Sequence, residues 1–192
     1  MQFTVAAVVS FLAATAAALP ASTNSTNSSS IPDGTTFNLL SLRSASPVHF
    51  SYFQAAQRGL RVKLSEQGAN CTGGDEVSNT RATFYIKDQG LYLYGPEGGE
   101  TQQLFTDLSG MGQGVIQYTT GNQGLPRYAQ RGPFTIDADG NLRVAGYGFV
   151  ACPSFGESYS IRAGDGGSAD CLGISARVVP IANPGACVYT QE

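Results

Sequence analysis

From Phe37 onward, short runs of β-branched, aromatic and leucine residues alternate with clusters of Gly, Pro, Asn and Asp. Runs of four to nine residues bounded by turn formers are the signature of strands joined by tight turns. The pattern predicts strands at 37–42, 48–53, 60–64, 82–87, 91–94, 103–107, 114–119, 133–137, 142–145, 149–152, 158–162, 174–180 and 187–190. Helical periodicity is absent past the N-terminal region, except for one helical turn expected around Gln54-Ala55-Ala56-Gln57. The fold class is therefore all-β.

Three segments share a weak repeat, an aromatic strand followed by a turn, a Gly and a second alternating strand. They begin at His49-Phe50, Thr83-Phe84 and Pro133-Phe134, and the last two read as hairpins. Three hairpins in one compact domain suit a closed, β-trefoil-like barrel, which leaves no open sheet edge. The uneven spacing keeps a two-sheet β-sandwich as the alternative.

The N-terminal pattern is different. Residues 1–18 hold a short apolar stretch, Val5 to Leu12, followed by Ala16-Ala17-Ala18. This reads as a secretory signal peptide cleaved after Ala18. Residues 19–35 form a Ser/Thr/Asn-rich tail with little apolar surface to bury, expected to be flexible and glycosylated. Its N-glycosylation acceptors are Asn24 and Asn27, and a third, Asn70, lies in the domain of residues 36–192. The chain shows no second long apolar run and no GPI-type tail, so neither a membrane span nor a GPI anchor is expected.

Composition narrows the function. Eleven Lys and Arg face 14 Asp and Glu, for a net charge of −3. No basic patch is available for nucleic acid. A single His and the absence of Trp exclude multi-histidine metal centres and tryptophan sugar platforms. Four cysteines in an exported chain point to two disulfides. The expected pairs are Cys152 with Cys171, closing a local loop, and Cys71 with Cys187, tying the middle of the chain to a distant segment. Loop-closure entropy makes the longer bridge worth roughly 4 kcal/mol against about 3 for the shorter. No CxxC pair supports zinc.

The motifs that suggest chemistry are weak. Asp137-Ala138-Asp139-Gly140-Asn141 resembles part of a calcium loop but has Gly148 where the twelfth-position Glu belongs, so a hairpin turn is expected. Gly110-Met111-Gly112-Gln113-Gly114 lacks the Lys and Ser/Thr of a phosphate loop. His49 is expected in a strand in a structural role, and no GxSxG elbow is present. Asp75, Glu76, Glu97, Glu100, Asp107 and Glu157 qualify for paired-carboxylate chemistry by type only. Tyr92 and Tyr94 alternate along one strand and, with Tyr118, are the candidate saccharide contacts. No catalytic residue, cofactor or metal site is assigned, and the chain is not expected to be an enzyme.

Several longer stretches carry a family resemblance. They include Leu42-Arg43-Ser44-Ala45-Ser46-Pro47-Val48-His49-Phe50, Gly68-Ala69-Asn70-Cys71, Gly90-Leu91-Tyr92-Leu93-Tyr94, and the most specific block, Asp107-Leu108-Ser109-Gly110-Met111-Gly112-Gln113-Gly114. Gln117-Tyr118-Thr119-Thr120-Gly121, Ala151-Cys152-Pro153 and Ala186-Cys187-Val188-Tyr189 continue them. Together they span 37–190, and on them the chain resembles the PhiA family of fungal cell wall mannoproteins. The resemblance implies a secreted wall glycoprotein with a structural and developmental role in phialide and conidium formation, and wall stress protection. It implies no catalytic residues. The chain departs from the family in having Phe134, and residues around Tyr159 and Ile161, where the family has Trp. The alternative function is a lectin-like module that binds a cell wall polysaccharide.

Overall fold

The structure, a computed structural model, describes Met1 and residues 31–74, 80–164 and 169–192. The signal and tail expected at 1–18 and 19–35 lie almost wholly outside the described residues. Among the described residues every regular element is a strand. They are β1 (Thr36–Leu42), β2 (Gln54–Ala56), β3 (Gly59–Val62), β4 (Asn70–Thr72), β5 (Phe84–Lys87), β6 (Gly90–Leu93) and β7 (Gln102–Asp107). β8 (Val115–Thr120), β9 (Phe134–Ile136), β10 (Leu142–Val144), β11 (Phe149–Pro153), β12 (Tyr159–Ala163), β13 (Leu172–Pro180) and β14 (Ala186–Val188) complete the set.

Ten strands join in the order β11-β13-β1-β5-β6-β7-β8-β12-β3-β2, all antiparallel. β12 also pairs with β11, so eight successive strands run round to their starting neighbour. β9 pairs with β10, and β4 with β14, as separate two-stranded sheets. The inward positions repeat every second residue, as on β13, where Ile174, Ala176 and Val178 are buried and Ser175 is exposed. Phe37, Phe53, Phe84, Leu91, Leu104, Phe134 and Phe149 meet in one apolar core.

Two sequence expectations fail here. Gln54-Ala55-Ala56 is the buried strand β2, not a helical turn. Its small side chains fit against the core, and the Gln54 amide both donates to the Leu64 carbonyl and accepts from the Leu64 N–H. Tertiary pairing thus overrides the helical preference of Ala and Gln. Residues 48–51, expected to begin a strand, form turns, with Phe50 at φ 59° and 65% exposed.

The hairpins β2–β3 and β5–β6 share one device. Gln57-Arg58 and Asp88-Gln89 carry positive φ at both central positions, and Gly59 or Gly90 follows. Two successive residues of positive φ make a type I′ turn, whose twist matches the strands. Without Asn or Gly at those positions the conformation needs outside support. Thr190 supplies it to the first turn, accepting Gln57 N–H at Oγ1 and Arg58 N–H at its carbonyl.

Residues 186–191 cross the molecule as a strap. Cys187 lies opposite Cys71 in register and is bonded to it, and Cys152 is bonded to Cys171. Tyr189 is buried. The Gln102 amide donates to its carbonyl at 2.9 Å and accepts its N–H at 2.9 Å, while its hydroxyl accepts the Thr83 N–H at 3.0 Å. Burial pushes the Tyr189 phenol up to about 12, against the opposing effect of the Thr83 bond.

Two outcomes follow. Gln102→Leu orphans both backbone groups of Tyr189, and urea denaturation is expected to show a loss of about 2–4 kcal/mol. The Tyr189 phenol keeps its proton more tightly folded than unfolded, where its pKa is near 10. Its contribution is therefore complete below a pH of about 10 and is lost as the pH rises towards about 12. Circular dichroism against pH should show alkaline unfolding in that window. Retention of the wild-type alkaline midpoint by Tyr189→Phe would contradict the assignment.

Candidate functional site

The tyrosines expected to meet saccharide part company. Tyr118 is only 1% exposed, and its hydroxyl donates to the Thr190 carbonyl. Burial raises its phenol well above the ordinary range. Its ring is core, so the expectation that it contacts sugar is corrected. Ile116 and Tyr118 of β8 both join the core, and the tyrosine anchors the strap.

Tyr92 and Tyr94 remain half-buried at and beyond the end of β6. The hairpin register sets Tyr85 opposite Tyr92 and Gln103 on its other side. The Tyr85 and Tyr92 rings stack with centroids 5.1 Å apart and planes 14° apart. Burial and the neighbouring Tyr92 raise the Tyr85 phenol. The Tyr92 ring also leans over Gly90, where a Cβ would lie 3.0 Å from it. Tyr92 is thus held by protein partners on several sides. Tyr85 was missed as a functional candidate, although the hairpin register alone places it against Tyr92. Tyr94 and Tyr85 line a recess of about 230 Å³ with Pro96 and Glu100.

The other motifs are engaged in holding turns. Asp137 Oδ1 accepts the N–H groups of Asp139 and Asn141, and Oδ2 pairs with Arg143 Nε at 2.9 Å. Burial works to raise this carboxyl, but the Asn141 N–H and the Arg143 guanidinium hold it below the ordinary range. These bonds, with that from Gly140 N–H to the Asp137 carbonyl, make the loop the expected hairpin turn. His49 sits in a turn, where its Nδ1 accepts the Arg43 N–H at 3.0 Å and its ring lies against Phe50. Asp107 Oδ1 accepts the Ser109 N–H, and Asp75 and Glu76 both lie outside the described residues. Glu97, Glu100 and Glu157 are exposed. Among the described residues no three His, Cys, Asp or Glu side chains gather at one point, and no helix is long and apolar enough to cross a membrane.

The block 109–114 folds into a tight loop. Ser109 Oγ accepts the Gly112 N–H, Gln113 N–H donates to the Ser109 carbonyl, and Gly114 N–H to that of Asp107. Gly114 has φ +73°, and a Cβ there would lie 1.9 Å from the Ala163 carbonyl oxygen. A Cβ on Gly112 would lie 2.2 Å from the Asp107 side chain. Only glycine fits either place. The sequon at Asn70 lies on β4 with its side chain exposed, and Asn24 and Asn27 are outside the described residues.

The described residues thus define a disulfide-braced all-β domain whose polar motifs are engaged in turns. The chain belongs to the PhiA-like secreted protein family, which matches residues 37–190. It is 43% identical over 198 residues to the cell wall protein phiA of Emericella nidulans, covering 100% of both chains. Against that of Aspergillus fumigatus it is 41% identical over 181 residues, 91% of this chain and 96% of the relative. Against that of Arthroderma benhamiae it is 35% identical over 147 residues, 72% and 78%. No solved structure matches it. The protein is a secreted protein of the cell wall.

The loop geometry generates a test. Gly114→Ala is expected to destabilise the domain by more than about 1 kcal/mol, because the new Cβ meets backbone at a positive φ. Asp137→Asn should remove a contribution that is present above the ordinary carboxyl pKa and fades as the pH falls through its lowered value. Thermal melts from neutral to acid pH should therefore converge for wild type and variant.

Proposed function

We propose that the protein is a non-enzymatic structural glycoprotein of the wall, a mannoprotein that supports phialide and conidium formation and protects the wall under stress. One observation carries this reading. The side chains that resembled chemistry, in the 137–141 turn, the 109–114 loop and His49, are bonded to backbone that they hold in place. A domain that uses such groups for its own rigidity suits persistence in an extracellular matrix.

The eight-strand round of pairings supports a closed barrel. The hairpins β2–β3, β5–β6 and β9–β10 are the elements that a trefoil-like arrangement would repeat. In this reading residues 1–18 direct export, and 19–35 carry N-glycans at Asn24 and Asn27. Asn70, exposed on β4, carries a third. Retention in the wall then rests on glycans and polysaccharide contact. A second reading, a lectin-like module that binds a wall polysaccharide, is favoured by an outward cavity beside the 109–114 loop.

Fractionation and deletion test the main reading. The protein is expected in washed walls, with an apparent mass that falls on N-glycan removal. A deletion strain should form fewer conidia from abnormal phialides. Recovery only from culture medium, with normal conidiation in the deletion strain, would sink the proposal.

A further inference from the structure

Alternation along β11 contains an anomaly. Phe149 and Ala151 point into the apolar core, so Val150 and Cys152 point outward. Yet Val150 is only 2% exposed and Cys152 8%, although Val150 lies outside the core cluster. Arg162 is the register partner of Val150 and of Val115, so it stands on the same outward face. Two chain segments shelter that face. One is the 109–114 loop, fixed by glycines that admit no side chain. The other is Asp170-Cys171, fixed to β11 by the Cys152–Cys171 disulfide.

Between them lies a cavity of about 810 Å³. Ser109, Gln113, Tyr147, Arg162 and Asp170 line it together with the disulfide. A volume in this range accommodates a small ligand. The walls are preorganised. Arg162 Nη1 donates to Gln113 Oε1 at 3.2 Å, and Gln113 is itself set by the loop at φ 50°. Fixing the binding groups before the ligand arrives reduces the ordering entropy of association.

We infer that this outward cavity is a binding site for an uncharged hexose oligomer. The charges select the class. An anion attracted by Arg162 meets Asp170, and a cation attracted by Asp170 meets Arg162. A polyol uses both, because its hydroxyls can accept from the guanidinium and donate to the carboxylate that line the cavity. Tyr147, 45% exposed, offers a ring against which the C–H face of a pyranose can lie. The site is separate from the tyrosine hairpin, where Tyr85 and Tyr92 cover each other. The inference rests on the lectin-like reading and gives it a location.

Isothermal titration of the intact secreted protein with laminarihexaose, chitohexaose and mannohexaose, and with an anionic oligogalacturonate control, tests it. At least one neutral hexamer is expected to bind, and the anionic oligomer is not. Tyr147→Ala and Arg162→Ala should each weaken that binding about tenfold or more, a change of about 1.4 kcal/mol. Tyr92→Ala should leave it unchanged. Far-ultraviolet circular dichroism and an intact disulfide map establish that each variant is folded. Tyr147 is largely exposed, so its variant keeps the test alive if Arg162→Ala misfolds.

Binding that survives both cavity variants would overturn this site and leave the lectin-like reading standing. Binding of none of the hexamers, or of the anion alone, would overturn both. Neither result bears on wall retention, which fractionation decides separately.

Discussion

A single buried glutamine and the strap it holds organise much of this molecule. An extended segment that crosses other strands has no continuous ladder, so its backbone groups need partners from elsewhere. Gln102 matches both N–H and carbonyl of Tyr189, and Tyr189 returns a hydroxyl to Thr83 at the entry to β5. Two residues away Cys187 is bonded to Cys71, and one residue on Thr190 receives Tyr118 and the β2–β3 turn. The strap therefore couples β4, β5, β7, β8 and the first hairpin. Its removal would leave buried polar groups unmatched in several places at once, a larger effect than the loss of apolar area alone.

The same economy explains the strained turns. A type I′ turn built from Gln57-Arg58 would be poor in an isolated hairpin. Here the turn's two N–H groups are accepted by Thr190, so tertiary structure selects a local conformation that propensity does not. Asp88-Gln89 follows suit, with Asp33 accepting the Asp88 N–H and the Gln89 carbonyl accepting that of Phe134. Order in this small domain comes from contacts distant in sequence.

That is also why sequence reading succeeded unevenly. Strand β13 alternates strongly, and its inward set Ile174, Ala176 and Val178 is visible from residue type. The short polar strand β4 has no such pattern and exists because Cys71 meets Cys187. Gln54-Ala55-Ala56 looks helical until Leu64 and Gln67 supply its partners. Tyr118 and Tyr92 are the same residue type in similar strands, and only the pairing shows that one is core and the other lies on a hairpin. The cavity over β11 was least legible. It requires Val150 to face outward and still be buried, a condition imposed by loops some forty residues upstream and about twenty downstream.

The separation between Cys71 and Cys187 has a temporal meaning. The cysteines are 116 residues apart, and at the usual rate of about 5–20 residues per second the second is made roughly 6–23 s after the first. β1 likewise waits for β13, its partner from Phe37 to Pro180. Until then the Asn70-Cys71-Thr72 acceptor travels through the secretory machinery as open chain. Once the fold closes, the Asn70 side chain ends exposed on β4, next to the bridged Cys71. The order of synthesis thus leaves Asn70 and Cys71 without their native strand partner until the distant segment 186–188 is made.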